Sequence, residues 1–160
     1  SHIMSLKKFT ILFAALMLPF ALISCSENST GVEEEEEEET VEIVYALSFA
    51  EGDGVATFYV DMTDVEGFDP ATHSIYITGS LLNWPEPGTD PDRQTMVLIE
   101  DENTVIPVVT PEATGEVQYK YFSDFVGQGW DGGEWNGDPN RTANLSAGAD
   151  IQDVWGDQPE

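Results

Sequence analysis

Val55-Ala56-Thr57-Phe58-Tyr59-Val60-Asp61 is the stretch on which the fold turns. Ala56, Phe58 and Val60 alternate with Val55, Thr57, Tyr59 and Asp61, and a period of two puts alternate side chains on opposite faces of an extended chain. β-Branched and aromatic residues suit such a pleated, half-buried surface. Outward from it, similar short runs divided by Gly, Pro, Asp and Asn place further strands at 42–49, 73–79, 95–100, 104–109, 116–123, 141–146 and 150–155. No stretch keeps helical periodicity beyond two turns. The expected fold class is all-β, an antiparallel immunoglobulin-like β-sandwich of seven or eight strands, with an open barrel as the second choice.

These strands fill only residues 41–160 of the 160-residue chain. About 120 residues can bury enough surface to fold without a metal or disulfides. Ahead of them, residues 26–40 include seven consecutive glutamates, Glu33 to Glu39. Such a run repels itself and buries nothing, so it reads as a solvated acidic tether. Residues 1–25 read as a cloning scar, Ser1-His2-Ile3, followed by a signal peptide: Lys7 and Lys8, then an apolar run from Phe9 to Ile23 that is short for a membrane span.

Cys25 is the only cysteine, so no disulfide forms within the chain. Leu22-Ile23-Ser24-Cys25 resembles a bacterial lipobox, which implies that Cys25 is lipidated and anchors the protein to the outer membrane. An ordinary secretory signal with a stray cysteine is the alternative. An acidic stretch directly after the cysteine resembles the surface-export signal of Bacteroidota lipoproteins, implying a domain facing the cell exterior. A solubilising spacer facing the periplasm remains open.

Loss of the signal removes Lys7 and Lys8, leaving Arg93, Lys120 and Arg141 against 31 acidic residues, a formal charge of −28. Such a surface repels phosphate backbones and anionic headgroups, which excludes nucleic acid and basic-patch membrane binding. Only His73 survives processing as a histidine, and it reads as a plain surface or edge residue. Serine-triad, thiol and metal-hydrolase chemistries therefore lack parts. A glycosidase needs two spaced carboxylates, but with 31 acids such a pair is always available and means nothing. The expected class is a binding protein, not an enzyme.

The loops at 80–94 and 124–140 hold three of the four tryptophans. Large aromatics in polar loops are either turned inward as plugs or displayed to a ligand. Trp84 and Trp135 are flanked by turn formers, which favours display. A pyranose ring has an apolar C–H face and a rim of hydroxyls, so an indole face with a few fixed polar groups suits it. Lys120 sits mid-strand among aromatics and either donates to sugar hydroxyls or lays its stem across the sheet to pair with an acid. Arg141 reads as a structural bridge to loop carboxylates or carbonyls, and Trp155 as core.

The series Ile77-Thr78-Gly79-Ser80, Asn83-Trp84, Gln118-Tyr119-Lys120-Tyr121-Phe122 and Trp135-Asn136-Gly137-Asp138-Pro139-Asn140-Arg141 resembles a starch-binding domain of carbohydrate-binding module family 20. The ending Asp150-Ile151-Gln152-Asp153-Val154-Trp155 is similar to that family's last strand, so the resemblance spans residues 55–155. It implies non-catalytic binding of starch, glycogen or maltooligosaccharides by Trp84 and Trp135, with Lys120 and Asn140 alongside. The family often has an acid where this chain has Asn136, which keeps a hydrogen-bonding role without charge. Trp130 lies in a loop longer than the family's and extends the platform or does not. The implied partners are an α-glucan and other polysaccharide-utilisation proteins, and no cofactor is expected. Asp131, Glu134 and Asp138 leave structural calcium as a minor alternative, although their spacing is not that of an EF-hand. The rival function is an adhesin-like or accessory surface lipoprotein that keeps the fold without binding sugar.

Overall fold

A hairpin organises the first sheet. Strand β1 (Val44–Glu51) runs antiparallel to β2 (Gly54–Asp61), in register from Val44 opposite Asp61 to Glu51 opposite Gly54. Gly52, at the first position of the two-residue loop, has φ 53°, the left-handed conformation that primed hairpin turns demand. The computed structural model describes residues 41–160. The signal peptide, Cys25 and the acidic tether lie outside the described residues.

The alternation that marked β2 in the sequence is what the sheet uses. Ala56, Phe58 and Val60 are fully buried, facing Leu47 and Phe49 of β1 in one core. The second sheet has β6 (Gly115–Ser123) between β3 (Ile75–Gly79) and β7 (Arg141–Leu145), both antiparallel to it. Ile75, Ile77, Val117, Tyr119, Tyr121 and Leu145 supply its half of the core. Phe58 meets Tyr119 edge to face with centroids 4.7 Å apart, which joins the two sheets. The domain is all-β, two sheets around a shared core.

Three details differ from the sequence reading. The first sheet is not wholly antiparallel: β5 (Val108–Val109) lies parallel to β1, and β8 (Asp150–Val154) lies parallel to β2. β8 follows β7 of the other sheet, so it arrives by a crossing between sheets and no hairpin dictates its direction. Strands expected at 95–100 and 104–109 shrink to β4 (Val97–Leu98) and β5. Turn chemistry wins between them, because Thr104 Oγ1 accepts from the backbone N–H groups of Glu100 (3.0 Å) and Asp101 (3.2 Å). Pro107 has no N–H to give, and its carbonyl instead accepts from Ser48 (3.1 Å) just before β5 begins.

Candidate functional site

The outer face of the second sheet is where the two tryptophan loops meet it. Ile77, Tyr119 and Tyr121 point into the core, so Thr78 and Lys120 occupy the opposite face, and they are direct cross-strand partners. Thr78 Oγ1 donates to the Pro85 carbonyl at 2.6 Å. Lys120 Nζ donates to the carbonyls of Trp135 and, at 3.2 Å, Gly137. Facing side chains at such a pair have Cβ atoms about 5 Å apart. Two loops distant in sequence are thus tied down at adjacent points of one face.

The first loop has its own supports. Trp84 donates its backbone N–H to Gly79 O (2.9 Å), and Asn83 and Trp84 both take positive φ, 62° and 55°. That left-handed step, uncommon for residues with a Cβ, turns the chain sharply out of β3. Gln94, fully buried, accepts from the N–H groups of Gly88 (3.0 Å) and Asp90 (3.1 Å) and donates to Pro85 O (3.1 Å). Trp84 is left half-exposed, and its indole N–H has no partner among the described residues.

The second loop is held from below. Trp135 is half-buried and donates Nε1–H to Pro139 O at 3.0 Å, closing a short loop that contains a cis Asp138–Pro139 peptide. Lys120 Nζ stands 5.2 Å from its ring centroid and the Arg141 guanidinium carbon 5.1 Å. Lys120 is only 6% exposed, and among the described residues it makes no ion pair: two loop carbonyls take its ammonium. Burial draws its pKa down, against the opposing pull of Glu134 and Asp138. Asn136, between the two anchored carbonyls, is exposed, and Asn140 is half-buried. Trp130 lies apart from this pair, packed edge to face on Phe122 with centroids 5.7 Å apart and 48% exposed.

Beneath Trp135 lies a buried ionic cluster that the sequence showed only in part. Arg141 Nε and NH2 grip the two Glu134 oxygens at 2.7 and 3.3 Å, while NH1 reaches Asp153 at 3.3 Å and NH2 the Val154 carbonyl at 2.8 Å. The hydroxyls of Tyr119 and Tyr121 both donate to Asp153 Oδ2 at 2.7 Å. Burial and the nearby Asp153 carboxylate push both phenols upward. Arg141 is thus the structural bridge expected of it. Glu134, counted above among oxygen ligands for calcium, has both carboxylate oxygens committed to Arg141. Trp155 packs against the core as expected, with its ring 5.9 Å from Phe125. His73 is half-buried just ahead of β3, its Nδ1 accepting from Asp69 N–H (3.0 Å) and its ring in contact with both Phe68 and Phe125, which also touch each other.

Burial raises the Glu134 pKa from 4.5 to about 7, with the Arg141 hydrogen bonds and charge pulling the other way. Asp153 still balances Arg141 when Glu134 is neutral, which is why burial prevails. A carboxyl whose folded pKa lies above its unfolded value adds stability in full below about pH 4.5 and loses it as pH rises through about 7. Melting wild type and Glu134→Gln between pH 4.5 and 8 should show the wild type losing about 1–3 kcal/mol relative to the variant as pH rises. A constant difference across that range would refute the assignment.

No family model, no curated protein and no solved structure matches this chain.

Proposed function

We propose that this chain is a non-catalytic carbohydrate-binding protein that captures starch, glycogen or maltooligosaccharides through a platform formed by Trp84 and Trp135. The observation that carries the reading is the anchoring of both tryptophan loops at the adjacent positions Thr78 and Lys120 on one sheet face. Two indoles carried on loops fastened at adjacent points would offer apolar faces to successive pyranose rings, and preorganisation lowers the entropic cost of holding a flexible glucan. Exposed Asn136 and neighbouring Asn140 supply amides for the hydroxyl rim. Lys120 serves through the loop that it fastens. Lipidated Cys25 and the 26–40 tether would hold the domain on the outer membrane, facing the exterior, beside polysaccharide-utilisation proteins. No cofactor is needed for such binding.

A shallow platform of this kind binds weakly, and many anchored copies on one polysaccharide compensate by avidity. In native gels containing amylopectin, the wild type should be retarded and Trp135→Ala should migrate as in a plain gel. Unretarded wild type would leave the second reading, an adhesin-like or accessory lipoprotein. One observation favours that alternative: the Trp135 ring already carries the Lys120 ammonium and the Arg141 guanidinium, 5.2 and 5.1 Å from its centroid.

A further inference from the structure

Asn136 and Gly137 form the only Asn-Gly pair in the chain, and the peptide that joins them lies between the two carbonyls that Lys120 holds, those of Trp135 and Gly137. The held carbonyls flank a free peptide. Neither the Asn136 carbonyl nor the Gly137 N–H has a hydrogen-bond partner among the described residues. The Asn136 side chain is exposed, and its amide likewise makes no hydrogen bond among them.

Asparagine is among the thermolabile side chains, and the residue that follows it decides how readily it reacts. Gly137 has φ 69°, a conformation that favours glycine, and a Cβ added there would meet nothing within 4 Å. Its nitrogen is therefore unscreened, by a side chain of its own or by neighbours. Once base removes the Gly137 N–H proton, that nitrogen can attack Asn136 Cγ and close a five-membered succinimide. The Cγ–Nδ2 bond breaks and Nδ2 leaves as ammonia, taking up a proton from solvent. Water then opens the ring. Addition at Cγ gives aspartate; addition at the former Asn136 main-chain carbonyl gives isoaspartate, whose backbone runs through Cβ and Cγ. The net change is amide plus water to carboxylate plus ammonium.

We propose that Asn136 is a site of spontaneous deamidation, and that its isoaspartate product loosens the second tryptophan loop from Lys120. The extra methylene lengthens the chain between the Trp135 and Gly137 carbonyls by about 1.5 Å. One ammonium holds both oxygens, so a longer span costs it one of them. Loss of a hydrogen bond to a buried cation is a large local change, and it falls on the residue next to Trp135. The modification stands on the local chemistry alone. Its effect on sugar rests on the platform reading above.

Ageing the wild type for weeks in mildly alkaline buffer, with a second portion kept mildly acidic, tests this. Peptide mass spectrometry should find the exchange of NH2 for OH at position 136 in most of the alkaline portion, much of it as isoaspartate, and little in the acidic one. Asn136→Gln, whose longer side chain closes the ring poorly, should stay unchanged there. No mass gain at Asn136, or an equal gain at Asn83, Asn103, Asn140 or Asn144, overturns the site. Calorimetric titration with maltoheptaose, both portions returned to one buffer, should show the aged protein binding about tenfold more weakly, the worth of one hydrogen bond to a charged group. Equal affinity in the two portions overturns the link to Lys120 while the modification stands. Acid-kept protein that binds no sugar overturns the platform reading, and a lowered melting temperature in the aged portion then reads the loosened loop in its place; an unchanged one overturns the loosening.

Discussion

At pH 8, where Glu134 is mostly ionised in the wild type, replacing Arg141 with methionine is expected to destabilise the domain by about 3–5 kcal/mol, because it strands buried carboxylates without their cation. The Glu134 side chain is fully buried and both its oxygens bond to Arg141, while Asp153 keeps only the two tyrosine hydroxyls when the guanidinium is gone. For a domain of this size the loss corresponds to about 10–20 °C in melting temperature. The sequence neighbour of Glu134 is Trp135, whose ring lies 5.1 Å from the guanidinium, so the indole's emission should shift as well. Thermal melts followed by both circular dichroism and tryptophan fluorescence read the two effects together. A melting temperature within a degree or two of wild type would mean that the cluster contributes nothing.

Gly79→Ala should be nearly as damaging, for a steric reason. Gly79 is extended, with φ 165°, so its conformation suits any residue. Space is what it lacks: an added Cβ would lie 2.2 Å from the Gln118 carbonyl oxygen, 2.7 Å from Leu81 Cδ2 and 2.8 Å from Tyr119 Cα. Two of these are backbone atoms of β6, so β3 and β6 must separate at the end of their pairing, at a cost of about 3 kcal/mol. Gly79 O also accepts from Trp84 N–H, so the same movement drags the first tryptophan loop away from its place. Urea unfolding should show the lost stability, and retardation by amylopectin should fall even where the variant is folded. Wild-type stability in this variant would show that the two strands yield easily.

The strands were legible because their signal is local. Ala56, Phe58 and Val60 declare their face within seven residues, and each of the eight expected runs overlaps an observed strand. The parallel placement of β8 on β2 was not legible, since it depends on where a chain from the other sheet re-enters. Of the site, the sequence marked Trp84, Trp135, Trp130 and Lys120 by composition alone: indoles in polar loops, and a rare cation among aromatics. What Lys120 does depends on Thr78 being its neighbour and on the loop that folds back above it, and neither is encoded nearby. Gln94, Glu134 and Asp153 looked like ordinary polar residues, and only burial singles them out. Arg141 was the one visible end of the cluster that holds Glu134 and Asp153, because three cations among residues 41–160 of so acidic a chain need a reason.

Thr78 and Lys120 fasten the two loops entirely through main-chain oxygens, those of Pro85, Trp135 and Gly137. Every amino acid carries that oxygen, so the fastening is indifferent to which side chains the loops display. Trp84, Asn136 and Asn140 can be exchanged for other residues while the mounting that presents them stays in place. Under the proposed function, the fold thereby separates what holds a recognition surface from what it recognises, and leaves the second free to be rewritten for a different polymer.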